Sequence, residues 1–138
     1  MGPSGEIRVI PVPFAGEILP GDNLAEKLAA SLKRQKLKLQ SGDIVVVKHK
    51  IVSKAEGRTV RLDDVKASRA ATSWSRLTRA DARVIELALS ESKRVVRKKK
   101  GVLITETRHG LVCANSGVDL SNVDGGESAV LLPKDPDG

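Results

Sequence analysis

Aromatic side chains are almost absent from this chain: Phe14 and Trp74 are the only two, and tyrosine does not occur. That scarcity argues against a nucleic-acid binder that stacks successive bases on aromatic platforms. Cysteine is scarcer still. Cys113 stands alone, so no intramolecular disulfide can form, and its apolar neighbours disfavour a reactive thiolate. Core packing is its expected role. One cysteine and two histidines, His49 and His109, make no ligand-spaced zinc set. No apolar run approaches membrane-spanning length, and the N-terminus carries no signal-type apolar core. A cytoplasmic protein away from the membrane is the expectation. Neither Gly-x-x-x-x-Gly-Lys-Ser/Thr nor Gly-x-Gly-x-x-Gly occurs, so any nucleotide is held without the usual glycine-rich loops.

What the chain does have is aliphatic content and positive charge. Its 138 residues are 40% hydrophobic, enough for one domain with a core of Val, Leu, Ile and Ala. Lys and Arg number 24 against 17 Asp and Glu, a net charge of +7, which attracts anionic partners over long range. The densest basic run, Arg97 to Lys100, is equally compatible with a solvated face.

Residues 7–13 read as a short edge strand, bounded by Pro11 and Pro13. Asn23 with Glu26 forms a capping-box-like pair ahead of Leu24, Leu28 and Leu32, predicting a helix over 24–35. The β-branched run from Gly42 to Lys48, continued by Ile51 and Val52, predicts a central buried strand. A helix is expected over 77–92 with Asp81 as a plausible cap, preceded by a more weakly periodic helical stretch from Ser68. Residues 102–114 suggest a hairpin and 129–133 a last short strand. Helices and strands alternate without βαβ regularity, which predicts an α+β fold, a mixed sheet with flanking helices.

Two stretches carry candidate chemistry. In Ser53-Lys-Ala-Glu-Gly57, Lys54 can offer a point charge to a phosphate, or can simply be solvated at the end of an element. Asp119, after Ser-Gly-Val, offers a hard oxygen to magnesium or manganese, or can cap a turn.

Three longer stretches narrow the choice. Ile51-Val-Ser-Lys-Ala-Glu-Gly-Arg58, Gly101-Val-Leu-Ile-Thr-Glu-Thr-Arg-His-Gly110 and Val112-Cys-Ala-Asn-Ser-Gly-Val-Asp-Leu-Ser-Asn122 resemble, in order and spacing, the coenzyme F(420):L-glutamate ligase family. Leu19-Pro-Gly-Asp22 and Leu132-Pro-Lys-Asp-Pro-Asp137 fit the same pattern. The resemblance implies an enzyme that joins L-glutamate to the lactyl carboxylate of coenzyme F(420)-0. GTP is the co-substrate, an acyl phosphate the intermediate, and GDP and phosphate the products. Mg2+ or Mn2+ is implied as the divalent ion, K+ is an accessory candidate, and a homodimer is the expected assembly.

Carried over residue by residue, the resemblance places a metal ligand at Asp119 and a nucleotide-contacting asparagine at Asn122. It places a nucleotide-contacting lysine at Lys54, a nucleotide loop at Leu19, Pro20, Gly21 and Asp22, and a further contact pair at His49 and Lys50. Lys54 and Asp119 are the implied catalytic residues. Ser116 stands where alanine is common in the family, a change expected to matter little. Family members continue beyond the segment matching Asp137, so the resemblance implies the N-terminal portion of such a ligase. The competing reading is a non-enzymatic polyanion or nucleic-acid binding module built on Arg94, Arg97 and Lys98 to Lys100.

Overall fold

The computed structural model describes residues 5, 7–123 and 126–136, with side chains for all of these except 121–123 and 126. The first helix, α1 (Leu24–Arg34), forms as the capping pair predicts: the Asn23 side chain accepts the Glu26 N–H at 3.1 Å. Glu26 sits in the first turn and Lys33 and Arg34 in the last, each sign matched to the helix dipole. Replacing Asn23 with alanine orphans one backbone donor at an exposed helix end. The expected loss is ~1 kcal/mol of unfolding free energy, read from the urea midpoint.

Next come α2 (His49–Ala55) and the three-residue strand β1 (Thr59–Arg61). The helix expected over 77–92 is in fact the end of one helix and the whole of another, α3 (Arg69–Thr78) and α4 (Ala82–Ser90). The cause is local: Arg79 takes a left-handed conformation, φ 59°, which ends α3, and Asp81 then caps α4 by accepting the Arg83 N–H at 2.8 Å. The stretch from Ser68 is helical as expected, with the Ser68 hydroxyl accepting the Ala71 N–H.

Strands β2 (Ser92–Lys99), β3 (Val102–Thr107) and β4 (Val112–Ala114) form one antiparallel sheet in the order β2-β3-β4. Strands β5 (Asp119–Val123) and β6 (Gly126–Val130) join β1 in a second antiparallel sheet, ordered β1-β6-β5. The α+β class and the hairpin over 102–114 hold, while the expected single mixed sheet resolves into these two. The last strand ends at Val130, short of the expected 133, although the Leu131 N–H still donates to the Arg58 carbonyl, one step further along the register that sets Thr59 opposite Val130.

Helix α4 serves both cores. Val84 and Leu87 pack with Leu62, Ala129 and Leu131 beside the second sheet, whereas Ile85 and Ala88 pack with Ala71 and Leu103 beside the first. The two pairs are one residue out of step, so they lie about 100° apart around the helix. Val118 touches both clusters and so closes the space between them.

The basic run lies on β2 up to Lys99, at the edge of its sheet, with Lys100 in the turn that follows. Lys98 places its ammonium 3.8 Å from the Trp74 ring centroid, and Arg94 pairs with Glu106 at 2.6 Å. Charged side chains along an exposed edge discourage edge-to-edge pairing, which accounts for the run without any polyanion. Among the described residues no helix is long and apolar enough to cross a membrane.

Two expected strands do not form. Residues 7–13 belong to no strand and are mostly exposed, with Ile7 at 90% and Val9 at 86%. The run over 42–48 is likewise exposed, and its continuation through Ile51 and Val52 is helical rather than extended. The physical reason in both cases is that no other described strand lies alongside to complete a ladder.

Candidate functional site

Helix α2 is the centre of the site. Because residues four apart share a helix face, Lys50 and Lys54 project to the same side. Both line a cleft of about 300 Å³ together with Lys48, Ile51, Phe14, Gly16, Glu17 and Ile18. On the same helix Ser53 is fully buried, and its hydroxyl has no hydrogen-bond partner among the described residues. Had this segment been the strand expected from its β-branched residues, the lysine pair would still have shared a face, but spread over four residues of extended chain.

The loop Leu19-Pro-Gly-Asp22 is fastened to the end of that helix. The Gly21 N–H donates to the Ala55 carbonyl at 2.7 Å, and Pro20 packs against Gly57. Inside the loop Asp22 accepts the Leu19 N–H at 2.7 Å and pairs with Lys27 at 2.9 Å. These bonds, the backbone one first, hold the Asp22 carboxyl below the usual carboxylate range. The cleft itself is walled by Gly16 to Ile18, just before the loop, so Leu19 to Asp22 buttress α2 from one side.

Asp119 reaches the same place from the other direction. It opens β5, opposite Val130, whose other neighbour across the sheet is Thr59. Three consecutive left-handed residues lead into it: Asn115, Ser116 and Gly117, with φ of 50°, 53° and 72°. Such a turn costs energy at the two non-glycine positions, and Ser116 supplies the compensation. Its buried hydroxyl donates to the Ala88 carbonyl at 2.6 Å and meets Thr105 Oγ1 at 2.7 Å, while its N–H donates to Thr105 Oγ1 at 2.9 Å. Ser116 therefore does more than the sequence suggests, for its hydroxyl ties the turn before Asp119 to α4 and β3.

The Asp119 carboxylate is half-exposed and forms an ion pair with the Lys50 ammonium. That hydrogen bond first, and the charges of Lys50, Lys48 and His49 with it, hold its carboxyl below the usual range against the opposing effect of burial. Lys50 thus belongs both to the cleft and to the carboxylate. His49, the first residue of α2, is exposed and contributes through its closeness to Asp119. Asn122 lies on β5 opposite Glu127, and its side chain is outside the described residues.

No cluster of three or more His, Cys, Asp or Glu suited to a metal ion occurs among the described residues. One carboxylate with a lysine on it does not fit an ion held by the protein alone. It does fit Mg2+ or Mn2+ arriving with phosphate oxygens, since such ions bind through one or two carboxylates together with phosphates and water. Lys48, absent from the sequence expectations, joins the site because it immediately precedes α2 and lines the cleft; the spacing 48, 50, 54 was its only sequence signal.

The end of the described chain closes on the same structure. The Lys134 and Asp135 N–H groups donate to the Glu56 carboxylate at 2.5 and 3.2 Å, and Arg58 Nε donates to the Leu132 carbonyl at 3.1 Å. Arg58 also pairs with Glu91 at 2.6 Å. Every stretch singled out in the sequence is thus bonded to another, although Asp137 is outside the described residues.

The chain also matches known proteins. The model of the F(420)-0:gamma-glutamyl ligase family matches residues 14–138. A coenzyme F(420):L-glutamate ligase from Methanopyrus kandleri is 42% identical over 137 residues, 99% of this chain and 52% of the relative. Ligases of the same name from Methanothermobacter thermautotrophicus and Methanocaldococcus jannaschii are 42% and 41% identical, over 86% and 72% of this chain and 46% and 39% of their own lengths. The chain therefore spans about half the length of the curated relatives it matches. On the family match, which extends over nearly its whole length, this chain belongs to the F(420)-0:gamma-glutamyl ligase family.

Proposed function

We propose that this chain carries the phosphate-binding and carboxylate-activating part of a GTP-dependent ligase that joins L-glutamate to the lactyl carboxylate of coenzyme F(420)-0. The observation that carries the reading is the placement of Lys50 and Lys54 on one face of α2, with Asp119 in contact with Lys50. Three lysines in a cleft of this size suit a polyphosphate, and the neighbouring carboxylate suits the ion that accompanies it.

In the proposed reaction a carboxylate oxygen of F(420)-0 attacks the γ-phosphorus of GTP, forming an acyl phosphate as the bond to GDP breaks. The glutamate amine then attacks the acyl carbon, loses its proton and expels inorganic phosphate, leaving an amide. Both steps concentrate negative charge on phosphoryl oxygens, and fixed cations lower the barrier by meeting that charge where it develops. Lys54 serves this end from the cleft lining, together with Lys48 and Lys50. Asp119 would hold Mg2+ or Mn2+ against the phosphates, where the ion supplies Lewis-acid neutralisation. A homodimer is part of the same proposal.

Lys54→Met separates this reading from general polyanion attraction. A charge-assisted phosphate contact is worth ~1.5–3 kcal/mol, so GTP affinity measured by calorimetry with Mn2+ should fall about 10- to 100-fold. Adhesion to the basic strand β2 would instead leave Lys54→Met unaffected, need no metal and weaken steeply as salt rises.

A further inference from the structure

Residues 44–47 are four consecutive β-branched side chains, and they hold a strand-like alternation without a sheet. Ile44 and Val46 are 87% and 88% exposed, whereas Val45 and Val47 are 46% and 43% exposed. A period of two in exposure is what an extended segment shows when one face rests on the protein and the other is open. No backbone hydrogen bond reaches residues 44–47 from another described residue. Ile7 and Val9 form a second exposed apolar stretch with no ladder partner among the described residues. In a chain that otherwise protects a sheet edge with lysines on β2, an open run of Ile and Val is an exception that calls for an occupant.

We infer that the run Ile44–Val47 is a docking edge for a β-strand from the part of the ligase polypeptide that this chain does not span. The argument is one of length. The match covers 99% of this chain but only 52% of the Methanopyrus kandleri relative, so the family has about as much polypeptide again to pack against this half. Ile44–Val47 is a segment where both backbone and apolar side chains are open to receive it. It runs directly into Lys48 and α2, so docking here holds the wall of the lysine cleft. The inference rests on family membership and on exposure, and is independent of GTP binding.

The test is to express the uncovered part of the Methanopyrus kandleri relative, either as a separate chain with this protein or fused to it. Amide exchange is then followed at residues 44–47. In the 138-residue chain alone these amides should exchange as freely as unstructured peptide. In the complex or the fusion their exchange should slow by at least ~100-fold, as expected of a paired strand. Val45→Pro and Val46→Pro remove an N–H from opposite edges of the run, and at least one should abolish that protection. Neither should change the melting of the chain alone. Unaltered exchange in a fusion that melts cooperatively overturns the inference. So does a dimer of the 138-residue chain that already protects residues 44–47, because the occupant is then a second copy.

Discussion

Asp119→Asn removes the manganese-dependent gain in GTP affinity while strengthening metal-free GTP binding. Asparagine keeps the shape of the side chain but is a poor ligand for a hard divalent ion, so the affinity gained on adding Mn2+ should drop by at least ~tenfold. The opposite effect without metal follows from the Lys50 ion pair. While Asp119 is ionised, the Lys50 ammonium is shared between that carboxylate and the cleft, and its release makes it available to phosphate. A half-exposed ion pair is worth ~0–1 kcal/mol, so the metal-free gain is at most about fivefold. Loss of charge repulsion between Asp119 and phosphate would raise affinity too, but equally with or without Lys50. The double variant decides: in a Lys50→Met background the metal-free gain from Asp119→Asn should vanish. A gain of equal size in both backgrounds would show that Lys50 is not passed between the two sites.

The second large effect is structural. Gly117→Ala should destabilise the chain by ~2–5 kcal/mol, read from the urea midpoint. Two costs add. At φ 72° an alanine pays roughly 1–2 kcal/mol for the left-handed backbone. The new Cβ would also lie 2.7–2.9 Å from three carbons of Leu132, and overpacking of that kind typically costs ~1–3 kcal/mol. Gly101→Ala is the control, because Gly101 has nearly the same φ, 74°, with nothing within 4 Å of the added carbon. It should show the backbone cost alone. Equal losses at the two positions would mean that Leu132 moves aside freely, and that the turn before Asp119 is less firmly set than its packing indicates.

These variants mark what could be read in the sequence and what could not. Helix α1 and the start of α4 were legible because Asn23 and Asp81 are local signals, complete within a few residues. The break at Arg79 was not, since nothing in arginine's chemistry announces a left-handed residue. Lys54 and Asp119 were singled out from their stretches, but α2 was read as strand because Ile51 and Val52 favour extended chain. Packing of the segment against the loop at Gly21 and Pro20 overrides that preference, and such contacts are invisible to a local window. Residues 42–48 have the opposite history. Their pattern is that of a strand, yet no described strand pairs with it, and pattern alone says nothing about where a partner resides. Ser116 was passed over as a small residue beside the carboxylate, because only the folded chain brings Thr105 and the Ala88 carbonyl to its hydroxyl.

Titration of the 138-residue chain with GTP in a calorimeter, with and without Mn2+, bears most directly on the claim that α2 and Asp119 form a nucleotide site. The lysine cleft, Lys50 and Asp119 are already together in this chain, so the account predicts saturable GTP binding that Mn2+ strengthens. A cooperatively folded sample that binds no GTP in either condition, or binds equally with and without the metal, would contradict it.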